Sequence, residues 1–273
     1  MNKIHDIIYS TFKKGSKTYF YTSLFFPPEI KKDVFILYSF VRKIDDFVDS
    51  NPPQSDNFYT FKKSYYDALN GSVSDDIIIN SFIGLIKKRN FKHEWIDSFF
   101  ESMELDLNKG VFNKMDETLH YMYGSAEVVG LMMSSIMNLD PNSFKYAVFL
   151  GRSMQYINFI RDIEEDVSLG RRYLPLERIK LKSLDEEYVE KNKELFIEFI
   201  NKQIDLYHEW LKEAEKGFTY IPRRYLIPIK TASDMYKWTA EEIRKNPMIV
   251  YKRKVKPMII RIIATLFLNA IKI

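Results

Sequence analysis

The sequence predicts an all-α fold in one domain, and three observations carry that prediction. Nine glycines and ten prolines in 273 residues fall well below an average combined usage of roughly 12%, which disfavours short strands and tight turns. Apolar residues recur at three- and four-residue steps, and the alternation of a half-buried strand is absent. The apolar set is 46% of the chain, enough for a sizeable core.

The elements follow in order. Residues 3–26 predict a helix on the row Ile4, Ile7, Ile8, Phe12, which Pro27-Pro28 stops. Pro28 suits the first turn of the next helix and Glu29 complements its N-terminus. That helix runs to about Asp49 on Val34, Leu37, Val41, Ile44 and Val48, and ends at Asn51-Pro52-Pro53. Three more stretches, 58–69, 76–89 and 94–108, are separated by Asn70-Gly71 and Asn90. Residues 116–137 are helical and poor in charge. Asp140-Pro141 opens a long helix to about Val167, and a loop follows over 168–175. Helices over 187–216, 222–245 and 256–271 complete roughly ten. No repeat, linker or low-complexity stretch divides residues 1–273, so one domain is expected.

Composition excludes several chemistries. There is no cysteine, hence no disulfide, thiol nucleophile, iron–sulfur cluster or thiolate zinc site. His5, His93, His120 and His208 include no pair at ligand spacing. No glycine-rich phosphate loop or nucleophile elbow occurs. The formal charge of +4 is too mild to imply nucleic acid. Its distribution is uneven. After Glu242 there is no acid, while Arg244, Lys245, Lys252, Arg253, Lys254, Lys256, Arg261 and Lys272 are cationic. The N-terminus lacks the apolar stretch of a secretory signal, and no run of about 18 apolar residues spans a bilayer. A cytoplasmic monomer that touches a membrane peripherally through its basic, apolar tail is expected.

Two acidic constellations carry the chemistry. In Asp45-Asp46-Phe47-Val48-Asp49 the outer carboxylates are four residues apart, so they project from one helix face and repel. A divalent cation relieves that repulsion, and magnesium favours a few carboxylates with water and phosphate. The alternative is a solvated helix end. In the second, Asp162, Glu165 and Asp166 form another acidic face, Asn158 lies one turn earlier, and Glu164 points elsewhere. Two such faces can meet across a cavity and hold several cations on a diphosphate. Arg42, Arg161, Arg171 and Arg172 stand beside them, and arginine binds phosphate oxygens bidentately. Ser16-Lys17-Thr18 adds two hydroxyls and an ammonium. In Tyr121-Met122-Tyr123-Gly124-Ser125-Ala126-Glu127-Val128-Val129-Gly130, small residues permit close packing or a bound chain, and Glu127 requires a partner.

At these residues the chain resembles the squalene and phytoene synthase family. Residues 38–49, 121–130 and 155–175 match family motifs in order and spacing, and the resemblance covers most of the chain. It implies an isoprenoid-synthase helical bundle around a central cavity. It also implies Mg²⁺, with Mn²⁺ as a substitute, on Asp45, Asp46, Asp49, Asn158, Asp162, Glu165 and Asp166. Tyr38, Arg42, Gln155, Asn158, Arg161, Arg171 and Tyr173 match positions that line the site or hold diphosphate. Ser16, Lys17 and Thr18 match an N-terminal diphosphate contact. Tyr121, Val129 and Gly130 match the cavity wall, and Tyr236 and Arg253 match late diphosphate contacts. Glu127 and Glu164 depart from the family pattern, where small residues or glycine are common.

The implied reaction joins two geranylgeranyl diphosphates head to head into phytoene through a cyclopropyl (prephytoene) diphosphate. Phytoene formation ends in proton loss and does not need NADPH. The alternative is squalene or dehydrosqualene from two farnesyl diphosphates, with NADPH required for squalene. A non-catalytic, lipid-binding helical protein is a third reading, which the two intact acidic motifs disfavour.

Overall fold

The computed structural model describes residues 3–177 and 179–273. It is 77% helical, and the described residues contain no strand. One isolated parallel bridge joins Val111 to Arg172. The helices are α1 (Lys3–Gly15), α2 (Lys17–Ser23), α3 (Pro28–Val48), α4 (Ser55–Leu69), α5 (Ile77–Arg89), α6 (His93–Asn108), α7 (Met115–Met122) and α8 (Val128–Ile136). They continue with α9 (Phe144–Arg161), α10 (Ile163–Ser168), α11 (Glu186–Lys191), α12 (Lys193–Glu215), α13 (Arg223–Lys245), α14 (Ile249–Lys252) and α15 (Ile259–Lys272).

Local chemistry sets several of these boundaries. Pro28 opens α3, with Glu29 in its first turn. Asp76 caps α5 by accepting from the Ile78 amide at 2.8 Å, and Asn90 ends it in the left-handed region at φ 53°. Four helices predicted as continuous are broken. Residues 3–26 divide at Ser16, whose extended backbone and side chain cap α2. Residues 116–137 divide at a π-helical turn over Tyr123–Glu127. The long helix from 141 divides at Asp162, where the backbone leaves helical geometry at φ −103°, ψ 16°. Residues 187–216 divide at Asn192. After α10 the next helix begins at Glu186, one residue from its predicted start.

Aromatic rings fill one side of the bundle. Phe40 of α3 stacks on Phe82 of α5 with centroids 3.7 Å apart, and Phe58, Tyr65 and Phe100 are fully buried beside them. On the other side α9 packs between α8 and α12, and α13 lies against α2, α9 and α15. Between the two halves the helices stand apart around a cavity.

Candidate active site

The cavity has a volume of about 900 Å³. Its interior is apolar, with Leu37, Val129, Met133, Leu150, Met154 and Met235 in the wall. Its polar groups gather on elements from both ends of the chain. They include Ser16, Lys17 and Thr18 at the α1–α2 junction, Tyr38, Arg42 and Asp45 on α3, Gln155, Asn158 and Arg161 on α9, Tyr236 on α13, and Lys256. Gly130 also lines it, and a β-carbon there would meet the Ala147 carbonyl oxygen at 2.4 Å. The glycine therefore lets α8 and α9 approach closely. Gly15 has the same role toward Tyr38, whose hydroxyl would lie 2.4 Å from an added β-carbon. Tyr38 itself stacks on Phe12 at 3.9 Å.

Of the six motif acids only Asp45 lines this cavity; Asp46, Asp49, Asp162, Glu165 and Asp166 lie outside its wall, and the acids divide into paired and unpaired. Arg42 binds Asp46 at 2.6 Å. Arg171 donates to Asp49 at 2.8 Å and to the Val48 carbonyl, while its own amide donates to the Asp166 carbonyl at 2.7 Å. One arginine thus ties the two acidic elements together. Arg161 forks onto its neighbour Asp162, and Lys254 pairs with Glu165 and lies 3.5 Å from Asp162. Asp45 and Asp166 have no ion-pair partner among the described residues. Burial, and then the charge of Asp49, pushes the Asp45 carboxyl well above the usual carboxylate range, against the pull of Arg42. Burial and then Asp162 do the same to Asp166, against Arg171.

These observations bear on a metal. No group of three acidic or histidine residues among the described ones is drawn in tightly enough to hold an ion as it stands. The donor chemistry nevertheless suits magnesium. Asp45 and Asp166 are carboxylates short of positive charge, and the buried Oδ1 of Asn158 has no hydrogen-bond partner. Donors of this kind are the ones divalent cations take.

Several residues sit elsewhere than expected. Tyr121 does not line the cavity. It is buried behind the wall, donating to Asp106 at 2.6 Å, because its side of the helix packs on α6. Tyr173 also donates to Asp106 and stacks on Phe159 at 4.4 Å. Asp106, at the end of α6, is the functional candidate that motif spacing misses. It continues the buried row Phe99, Met103, Asp106, and an acid on such a row is its sequence signal. Arg253 is exposed and outside the cavity wall, because α14 ends at Lys252 and the extended segment after it turns Lys254 to the second acidic motif and Lys256 to the cavity. Glu127 is also outside the wall. It accepts from Arg152 Nε at 2.6 Å, and that guanidinium covers the ring of Trp210 at 5.4 Å.

The squalene/phytoene synthase family profile matches residues 12–259. The chain belongs to the squalene/phytoene synthase family. Members of that family are prenyltransferases. The chain is 27% identical over 266 residues to the chloroplastic phytoene synthase of an Oncidium hybrid cultivar, covering 90% of this chain and 62% of that protein. It is equally identical to that of Daucus carota, covering 90% and 65%. The chain thus spans rather less than two thirds of these relatives' length. Among solved structures, a dehydrosqualene synthase in complex with ligand superposes with a TM-score of 0.81 at 20% identity, covering 98% of this chain and 95% of that one. The squalene synthase of Alicyclobacillus acidocaldarius gives 0.78 at 19%, covering 89% and 93%. The predicted all-α isoprenoid-synthase fold and family are therefore borne out.

Proposed function

We propose that this protein is a prenyltransferase that condenses two prenyl diphosphates head to head, with geranylgeranyl diphosphate as substrate and phytoene as product. The observation that carries this reading is a cavity whose largely apolar interior also presents Asp45 and Arg42 of α3, Asn158 and Arg161 of α9, and Lys256. Its two regions match an isoprenoid tail and a diphosphate head. The choice of phytoene rests on the likeness to phytoene synthases.

Asp45, Asp49, Asp162 and Asp166, with Asn158, are the residues that would hold Mg²⁺. Bound there, it supplies charge neutralisation that makes diphosphate a leaving group. Arg42, Arg161 and Lys256 orient diphosphate oxygens, helped by the hydroxyls of Ser16 and Thr18 and by Lys17. The apolar wall keeps water from the allylic cation left behind, and the faces of Tyr38 and Tyr236 favour its positive charge. The double bond of the second substrate attacks that cation. Proton loss, with departed diphosphate as acceptor, closes the cyclopropane. Loss of the second diphosphate, ring rearrangement and a final proton loss release the hydrocarbon.

Purified protein incubated with Mg²⁺ and the C15 or C20 diphosphate, with and without NADPH, tests this. Phytoene from the C20 substrate without NADPH is expected. Hydrocarbon that appears only with the C15 substrate and NADPH assigns squalene synthesis instead. No diphosphate release from either leaves a non-catalytic lipid binder. Asp45→Asn and Asp162→Asn should each nearly abolish turnover at unchanged helical content, and wild-type rates in either would remove the acids from the reaction.

A further inference from the structure

Helix α15 has two apolar faces. On one, Ile262 and Leu266 are buried with Met235, against Tyr21 and Ile227. The other is bare. Ile260 is 73% exposed, Phe267 60% and Ile271 80%. With Ile263 these positions recur at three- and four-residue steps, so they form one stripe along the helix. A helix that only closes a bundle has a polar outer side, and contiguous large apolar side chains in water mark an interaction surface.

Cations flank the stripe. Lys256 precedes it, Arg261 lies over the Trp238 ring at 4.7 Å, and Lys272 ends it. Arg223, from the start of α13, donates to the Ala270 carbonyl at 2.8 Å beside that end. No acid occurs after Glu242. The stripe also begins at the cavity, because Lys256, Pro257, Met258 and Ile259 line the cavity and lead directly into α15. Met258 is itself 69% exposed.

We infer that the bare stripe of α15 docks onto an anionic lipid bilayer, with the helix in the headgroup boundary and the cavity mouth against that surface. An apolar face between basic flanks is the pattern of an interfacial helix. At 14 residues α15 is too short to span, and no described helix is long and apolar enough to cross a membrane. A second copy is the poorer occupant, because a two-fold contact would bring like-charged flanks together. Docking stands on this surface alone and does not depend on the reaction proposed above.

Co-sedimentation of the full chain with vesicles tests it. Binding to vesicles containing phosphatidylglycerol, and little to pure phosphatidylcholine, is expected. Each well-placed cation contributes roughly a fivefold preference. Binding should fall at least tenfold between 0.1 M and 1 M salt, as the Debye length drops from about 10 Å to about 3 Å. The Ile260→Ser/Phe267→Ser/Ile271→Ser variant alters only exposed side chains, so it should keep its melting temperature and lose binding at least tenfold. Equal partition into both vesicles, no binding to either, or undiminished binding by the variant would overturn the inference. So would a dimer, seen by sedimentation without vesicles, that the variant dissolves.

Discussion

Asp106 joins the two halves of the mouth, although it belongs to neither acidic motif. Its carboxyl accepts from Tyr121 and Tyr173, and Arg171 acts on it while holding Asp49. Burial pushes its pKa up to about 6, and Arg171 and the two tyrosine bonds restrain the rise. In the unfolded chain an aspartate titrates near ~3.9. The native state therefore binds this proton more tightly, and the group's contribution to stability falls as pH rises toward 6. Above that the full penalty remains, up to about 3 kcal/mol. Asp106→Asn removes the titration and retains an oxygen and a donor for the two hydroxyls. Between pH 7 and pH 5 the wild type should gain about 1 kcal/mol relative to the variant. Urea unfolding across that range measures it, and parallel pH profiles would remove Asp106 as a buried titrating group.

At the scale of elements, three- and four-residue periodicity located the helices but not their breaks. Ser16, the Tyr123–Glu127 turn, Asp162 and Asn192 interrupt helices whose apolar spacing continues on either side. A local cap or one inserted residue changes direction without changing composition, so periodicity does not register it. The small residues were legible as a close-packing signal, and the geometry separates those that are needed from those that are not. A β-carbon on Gly124 would meet the Ser98 carbonyl at 2.0 Å, and one on Gly130 the Ala147 carbonyl at 2.4 Å. Backbone must move in both cases. Gly84, in mid-α5, has open space around it. Gly130→Ala should therefore cost roughly 2–4 kcal/mol and disturb the cavity wall. Gly84→Ala should stabilise by roughly 0.5–1 kcal/mol. Denaturant titration of both gives the comparison, and equal signs would show that α8 and α9 are not in this close contact.

For the molecule as a whole, the acidic motifs and their arginines were legible because short spacings place them on one helix face. The roles of Asp106, Lys254 and Lys256 were not, since they depend on which distant elements meet. That meeting brings acids near one another and leaves Asp45 and Asp166 repelled by Asp49 and Asp162 and without a close ion pair among the described residues. The free protein therefore holds repulsion that a bound cation and anion together would relieve. A ligand that binds only the native state adds about 2.7 kcal/mol at a hundred times its dissociation constant. For a chain of this size each kcal/mol shifts the midpoint by roughly 2–4 °C. Mg²⁺ together with inorganic diphosphate should thus raise the melting temperature by about 5–10 °C at matched ionic strength. Mg²⁺ alone should do far less, because the ion-paired carboxylates leave it few ligands, and diphosphate alone should be repelled by the acids. In Asp45→Asn/Asp166→Asn the free protein should melt higher than wild type, since two half-buried carboxylates that repel Asp49 and Asp162 are gone, while the joint shift should largely vanish. A scanning calorimetry series with each component alone and both together decides it. Additive small shifts in wild type, or an undiminished joint shift in the double variant, would mean that these acids do not assemble a cation site.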